Sequence, residues 1–231
     1  MITFNPAPDR ALVERHSPLI ASYRALIARA ARSEGLALTR TGRFGRAVIA
    51  EAAAAFPFPG HDTAALAAHG AAPEERRVPP LAALRGLMLE LGLAQAEARR
   101  LRATEAGTAL GADPGAAFAT LVPALLFGPS QAGANRALPG DWGLFLSVLD
   151  REAGAGISAR YLAAALYGIR NPEPAHALFE NVLRPLGWAG LITPPPRAAD
   201  PRHRFARTPL WHDALHLPAR TAAEEDPLPL P

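Results

Sequence analysis

One local pattern occurs twice in this chain and constrains the fold more than any other feature of the sequence. The first copy runs from 92–93 to 101–104, and the second runs from 187–192 to 204–208. Each copy follows an apolar helical run and carries a basic loop between two strand-like segments. A helix, a tight turn and two short strands joined by a basic loop make the hairpin end of a winged helix. A partial echo at 35–39 predicts a single short strand.

The elements predicted around both copies follow the winged-helix order of helix, strand, helix, helix, strand, wing and strand. In the first half we expect a helical stripe at 11–33, a strand at 36–39, a Thr41-capped helix at about 43–56, a short helix after 62, a helix at 80–91 and a hairpin at about 93–104. In the second half we expect a helix from Asp141, a strand at Ile157, a Ser158-capped helix to 167, a helix at 172–186 and strands reaching 193 and 208.

These elements predict a mainly α fold with small β-hairpins, an α+β protein with tandem winged-helix domains. Domain 1 covers 10–110 and domain 2 covers 141–217. A helix started by Asp113-Pro114 and a Gly- and Pro-containing linker connect them over 111–140. The acidic, Pro-rich tail at 218–231 is predicted to be disordered.

Composition sets the class of protein. The chain has 231 residues, of which 49% are hydrophobic and 19% charged, as in a globular protein. It contains no Cys, so disulfides and thiolate metal sites are excluded. Residues 1–9 are polar and interrupted by proline, and the apolar runs are too short to span a bilayer. We therefore expect a cytoplasmic protein with neither a signal peptide nor a membrane span.

The positive charge is carried by arginine alone: all 24 basic residues are Arg, and the net charge is +3. Each guanidinium is a planar fork that can grip a phosphate with two hydrogen bonds. The candidate nucleic-acid contacts lie at a helix start, at one recognition position and in the two wings: Arg40, Arg43, Arg46, Arg85, Arg99, Arg100, Arg102, Arg197, Arg202, Arg204 and Arg207. The alternative is that these arginines lie on a solvated surface and that their number reflects a GC-rich genome.

The predicted recognition helices offer few groups that could read bases. In the first copy Arg85 is the strong candidate, among the apolar positions Leu84, Leu87 and Met88. In the second copy the reaching groups are His176, Glu180, Asn181 and Arg184. Two hypotheses follow. The first is a nucleic-acid-binding or transcription-regulating protein that contacts double-stranded DNA through its wings and the Arg40–Arg46 patch. The second is a scaffold that binds a protein partner through the apolar helix face.

Two motifs resemble catalytic or cofactor sites, but the residues around each of them argue against that function. His212 and His216 have the i, i+4 spacing of a zinc-protease helix, but Pro209 and Pro218 confine them to about two turns. Residues 154–159 match a relaxed dinucleotide pattern, yet a helix precedes them where a strand is required. We therefore expect no enzyme activity, no cofactor and no metal site.

One stretch carries a family resemblance. The pattern of residues 35–48, GLxLTxTGxFxRxV, resembles an element of bacterial proteins related to the ORF-3-like passenger proteins of plasmids and transposons. The likeness covers about 26 residues, up to Gly60, and Gly45 stands where that pattern often has Asn. The resemblance implies a small helical module associated with mobile elements and brings no established activity.

Overall fold

The computed structural model describes residues 2–56, 58, 74–128, 138, 142–168, 172–193 and 203–217. The N-terminal half contains β1 (Thr3–Phe4), α1 (Arg10–His16), α2 (Pro18–Ala30), β2 (Leu36–Ala37), α3 (Arg46–Ala55), a 3-10 turn (Glu75–Arg77), α4 (Pro79–Glu90), β3 (Ala94–Glu97), β4 (Arg100–Ala103), α5 (Glu105–Ala112) and α6 (Pro114–Phe127).

The C-terminal half contains α7 (Trp142–Glu152), α8 (Ala159–Tyr167), α9 (Pro172–Leu178), a π-helical turn (Phe179–Leu183), α10 (Arg184–Ala189), α11 (Pro209–Ala214) and β5 (Leu215–His216). The mainly α prediction with small antiparallel sheets is confirmed.

Two helix starts differ from the prediction. The stripe at 11–33 is broken at Ser17, whose hydroxyl accepts from the Ile20 N–H while Pro18 opens α2. Helix α3 begins at Arg46 with Gly45 as its N-cap, so Thr41 does not cap it. The chain before it is held in a turn instead, because the Thr39 N–H donates to the Arg43 carbonyl at 2.7 Å.

A three-stranded antiparallel sheet lies in the N-terminal half, with strand order β2-β4-β3. Its register pairs Leu36 with Leu101, and Ala94 with Ala103. The C-terminal half has the same order in reduced form, as two isolated antiparallel bridges, Ile157 with Phe205 and Ile192 with Arg207. The chain around 205–207 thus takes the central position that β4 takes in the first half.

The repeated sequence pattern also repeats its hydrogen bonds. After α4 the Leu93 N–H donates to the Met88 carbonyl at 2.8 Å, and after α10 the Leu191 N–H donates to the Leu186 carbonyl at 3.0 Å. Thr104 and Thr208 then close the two hairpins. Their hydroxyls donate to the carbonyls of Gly92 and Gly190, at 2.8 and 2.6 Å, and both glycines have positive φ. The same local chemistry therefore folds both copies.

The two halves share one hydrophobic core. Helix α10 packs against α2 and α6, and α11 packs against α1. The two ends of the described chain also pair, because β1 and β5 align Thr3 with His216 and Phe4 with Leu215. The sequence did not predict this small sheet. The proposed boundaries at 10–110 and 141–217 stay predictions.

Among the described residues no single helix is long and apolar enough to cross a membrane. Helices α5 and α6 meet that test only as a pair, bent by 115° at their junction. Four predicted features lie outside the described residues: the short helix after 62, the Asp141 cap, most of the linker up to 140 and the tail at 218–231.

Candidate nucleic-acid interface

The loop between β2 and α3 presents the first group of predicted contacts. Leu38 and Phe44 bridge its two arms, and the turn between them carries Arg40 and Arg43, both exposed. Arg46 is the first residue of α3 and is also exposed. The sequence predicted that all three arginines lie at a helix start, but only Arg46 is helical. The turn and the helix start bring them to the same end of the sheet instead.

The tip of the β3–β4 hairpin lies beside this loop. The Leu38 N–H donates to the Arg99 carbonyl at 2.8 Å, so the end of β2 is bonded to the hairpin turn. Arg99 and Arg100 are exposed there. We call the resulting surface the basic edge; its members are Arg40, Arg43, Arg46, Arg99 and Arg100.

The charges of the basic edge are available to a ligand. Within the described part of the chain, none of its five guanidinium groups forms an ion pair. Glu74 interacts electrostatically with Arg46, but it forms its ion pair with Arg76. The hydrogen bond and charge of Arg76, with a smaller contribution from Arg46, hold the pKa of Glu74 below its usual range. Helix α3 also starts without a side-chain cap, so its first N–H groups add positive potential at this edge.

Arg85 is held in a buried network. Its Nε donates to Glu75 Oε1 at 2.7 Å, while Glu75 Oε2 accepts from the Phe44 N–H at 2.9 Å. The side chain of Glu75 is only 2% exposed and that of Arg85 is 22% exposed. Arg85 therefore balances a buried carboxylate, and its role in reading bases stays a prediction. Sequence reasoning missed Glu75, since it stands in a charged run that looks solvated.

The remaining described arginines of the prediction also have internal partners. Arg102 donates to the Ser33 carbonyl at 2.8 Å. Arg204 donates through Nε and Nη2 to the Gly156 carbonyl, at 3.2 and 2.7 Å. Arg207 donates to Asp150 Oδ1 at 2.6 Å, and the same oxygen accepts from the Trp211 indole at 2.8 Å. Arg197 and Arg202 lie outside the described residues.

The apolar surface expected on the first recognition helix does not exist. Leu84, Leu87 and Met88 of α4 are 0%, 3% and 0% exposed and belong to the core. This burial removes the observation that motivated a protein-binding face on α4. The apolar spacing that suggested a docking surface is the spacing of a core helix.

The second predicted recognition helix is built differently from α4. The predicted helix to 186 passes through the π-helical turn, because Pro185 has no N–H to continue a regular helix. Arg184 pairs with Glu180 and packs between the rings of Phe179 and Trp188, 5.6 Å from each centroid. His176 remains exposed on α9, and Asn181 is half-buried.

An open cleft of about 520 Å³ lies in the C-terminal half, beside the start of α8. It is lined by Glu152, Ser158, Tyr161 and Arg204, among others. These groups largely engage each other or nearby backbone: the Tyr161 hydroxyl donates to Glu152 at 3.3 Å, and Ser158 caps α8. A hydrogen bond from Arg151 is the largest cause that lowers the pKa of Glu152.

The residues of the two enzyme-like motifs lie on the following elements. His212 lies in α11 and His216 in β5, so the two do not share a helix face. A helix, α7, precedes the glycines at 154–156, where a dinucleotide site needs a strand. In the described ranges no three His, Cys, Asp or Glu side chains are grouped so as to hold a metal ion.

The fold and the basic edge together define a mainly helical α+β protein that repeats one small helix-and-hairpin unit. Residues 15–116 match the Y4jL N-terminal domain, and residues 131–209 match the y4jL C-terminal domain. The two matches follow each other in order and together span most of the chain, so the chain is similar to both Y4jL domains over most of its length.

One relative shows the extent of the likeness. The chain is 28% identical over 170 residues to "Uncharacterized protein y4jL" of Sinorhizobium fredii (strain NBRC 101917 / NGR234). The alignment covers 71% of this chain and 77% of that relative. No solved structure matches the chain.

Proposed function

We propose that this chain is a non-enzymatic tandem winged-helix protein with a nucleic-acid-binding or regulatory role. It binds nucleic acid through its basic edge. The proposal rests on one observation: the hydrogen bond from the Leu38 N–H to the Arg99 carbonyl. It places the arginines of the β2–α3 loop and those of the hairpin tip side by side. A set of exposed cations fixed along one edge is the arrangement that follows a phosphate backbone.

The order of elements supports the winged-helix assignment. In the first half α2, β2, α3, α4, β3 and β4 follow each other as helix, strand, helix, helix and hairpin, and the sheet order is β2-β4-β3. In the second half α7, the bridge at Ile157, α8, α9 and the pairing of 192 with 207 follow the same order. The position of α4 corresponds to that of the recognition helix.

Hydrogen bonds within the protein reduce the number of predicted arginines that are available to bind nucleic acid. Arg85, Arg102, Arg204 and Arg207 donate to carboxylates or carbonyls of the chain itself. The five arginines of the basic edge have no such ion pair in the described part of the chain, so they are the principal contacts in the proposal. Arg197 and Arg202 stay predicted contacts of the second wing.

The chemistry of the edge favours a duplex over a single strand. Proteins that grip single strands usually stack bases on exposed aromatic rings. The aromatic ring closest in sequence to these arginines, Phe44, is only 1% exposed. The exposed large aromatics of the described structure are Phe127, at the end of α6, and Tyr161, on α8. The edge therefore offers charge without a stacking platform, which suits double-stranded DNA.

The test is fluorescence anisotropy of a labelled random duplex at several salt concentrations. Wild-type binding should fall steeply as salt rises, because each phosphate contact releases a counterion. The double substitution Arg40→Ala with Arg43→Ala should weaken binding at low salt. It should also reduce the slope of log K against log salt by about 2, one contact for each arginine.

A control variant with the same net charge separates the effect of the basic edge on binding from the effect of net charge. Arg10→Ala with Arg15→Ala removes two exposed cations from α1, which packs on α6 and α11 rather than on the sheet. The control should keep the wild-type slope. Equal losses in both double variants would mean that binding follows net charge alone, and no binding by the wild type at low salt would refute the proposal.

Two further parts of the proposal come from the sequence. A cytoplasmic location fits a chain without Cys. The resemblance of 35–48 to passenger proteins suggests an association with mobile elements. The structure adds no observation in favour of the scaffold alternative, since its motivating face on α4 is buried.

A further inference from the structure

The turn of the β3–β4 hairpin has an unusual backbone for its sequence. Its two central residues, Ala98 and Arg99, have φ of 46° and 59°. A two-residue turn with positive φ at both positions normally takes Asn-Gly, because a side chain in this region meets its own backbone. Neither residue here is Asn, Asp or Gly. The tip therefore carries Arg99 at a position where glycine would be more stable.

The surrounding structure holds Arg99 in this conformation. Its carbonyl accepts from the Leu38 N–H, and the register of β3 and β4 runs unbroken from Ala94–Ala103 to Glu97–Arg100. A strained residue that is fixed in this way and exposed at a tip is typical of a contact position. Arg100 belongs to β4 and lies opposite Glu97 in the register, whereas Arg99 lies in the turn itself. Arg99 is therefore the arginine at the tip of the hairpin.

We propose, on the basis of the function proposed above, that Arg99 enters the minor groove of double-stranded DNA and prefers A·T pairs. Major-groove readout uses a helix or a broad two-stranded ribbon, whereas a single guanidinium on a two-residue tip suits the narrower minor groove. The minor groove of A·T tracts is narrow and strongly negative, and it attracts inserted arginines. The rest of the basic edge contacts the flanking phosphates and is indifferent to sequence.

The experiment compares three duplexes of equal length, one with an A·T tract, one with G·C pairs and one with inosine·C pairs in the same positions. Inosine lacks the guanine 2-amino group, so its minor groove resembles A·T while its major groove resembles G·C. Wild-type protein should bind the A·T and inosine·C duplexes about tenfold more tightly than the G·C duplex.

Two substitutions at position 99 test whether the Arg99 side chain causes the preference for A·T pairs. Arg99→Gly should abolish the preference while retaining salt-dependent binding through Arg40 and Arg43, and it should raise Tm by roughly 2–4 °C as the turn strain is relieved. A variant that gains stability and loses preference cannot be explained by unfolding. Arg99→Lys keeps the charge without the planar fork, so it should keep the salt slope and lose most of the preference.

The outcomes are distinct. Equal binding of all three duplexes with steep salt dependence would overturn the role of Arg99 and leave the proposed function in place. Inosine·C binding as weak as G·C binding would assign the preference to the major groove and also overturn the inference. No binding of any duplex at low salt would refute the proposed function itself.

Discussion

Glu75 shows at the scale of one residue how this protein positions its surface. Its buried carboxylate accepts from the Phe44 N–H and from Arg85, so it ties the 3-10 turn to the β2–α3 loop and to α4. Burial of a carboxylate is costly unless it is paired and hydrogen-bonded. This network therefore holds the loop that carries Arg40 and Arg43.

We predict that Arg85→Ala lowers the free energy of unfolding by about 3 kcal/mol, because it leaves the Glu75 carboxylate buried without its cation. Urea denaturation measures the change. Adding Glu75→Gln should recover part of the loss, since the buried charge is then removed. The control is Arg76→Ala, whose exposed pair with Glu74 should contribute little. A loss no greater than that of the control would contradict the structural role of Arg85.

Local signals in the sequence identified some side-chain roles correctly. The Asp113 carboxylate caps α6 by accepting from the N–H groups of Gly115 and Ala116, at 3.0 and 3.2 Å. The Ser158 hydroxyl caps α8 by accepting from the Tyr161 N–H at 3.2 Å. Caps act within a few residues, so a sequence pattern can reveal them. The partner of Glu75 lies ten residues away on another element, and no local pattern indicates it.

At the scale of elements, α5 was missing from the sequence prediction although its cap was present. Thr104 accepts from the Gly107 N–H at 3.1 Å and starts a helix that contains two glycines, Gly107 and Gly111. Glycine disfavours helix, yet here it permits close packing. The Tyr23 hydroxyl donates to the Gly107 carbonyl at 2.9 Å, and burial raises the pKa of Tyr23 to about 12. Tertiary contact therefore overrides the local preference.

We predict opposite effects for alanine at two helical glycines. A methyl group at Gly107 would overlap the Leu93 carbonyl, so Gly107→Ala should cost about 2 kcal/mol or more. A methyl group at Gly86 in α4 would meet no atom within 4 Å, so Gly86→Ala should stabilise by about 0.5–1 kcal/mol. Thermal denaturation of both variants measures the two changes in stability. Destabilisation of similar size in both would show that α4 is more crowded than described.

At the scale of the whole molecule, the two halves behave as one packed body. Helix α10 of the second half contacts α2 and α6 of the first. A side chain at Gly190 would overlap the His16 carbonyl, so the halves approach closely there. The β1–β5 pairing and the hydrogen bond from the Asp9 N–H to Asp213, 2.6 Å long, join the two ends of the described part of the chain.

We therefore predict that the full chain unfolds in a single cooperative transition. Calorimetry should give equal calorimetric and van't Hoff enthalpies, because neither half can lose its structure without exposing the shared core. Asp213→Ala, which removes the carboxylate that accepts from Asp9, should lower Tm while the single transition is kept. Two resolved transitions would mean that the predicted domains at 10–110 and 141–217 are energetically independent.

The helical class, the repeated helix-and-hairpin unit and the caps of α6 and α8 can be predicted from the sequence alone, because these depend on residues close together in the chain. Only the tertiary contacts show which arginines are available. Arg40, Arg99 and Arg204 look equivalent as basic loop residues, yet Arg204 is bonded to Gly156 while the first two stay exposed. The tertiary contacts also show that Leu84 and Leu87 are core rather than surface. Partners distant in sequence determine burial and pairing, and a single sequence does not record them.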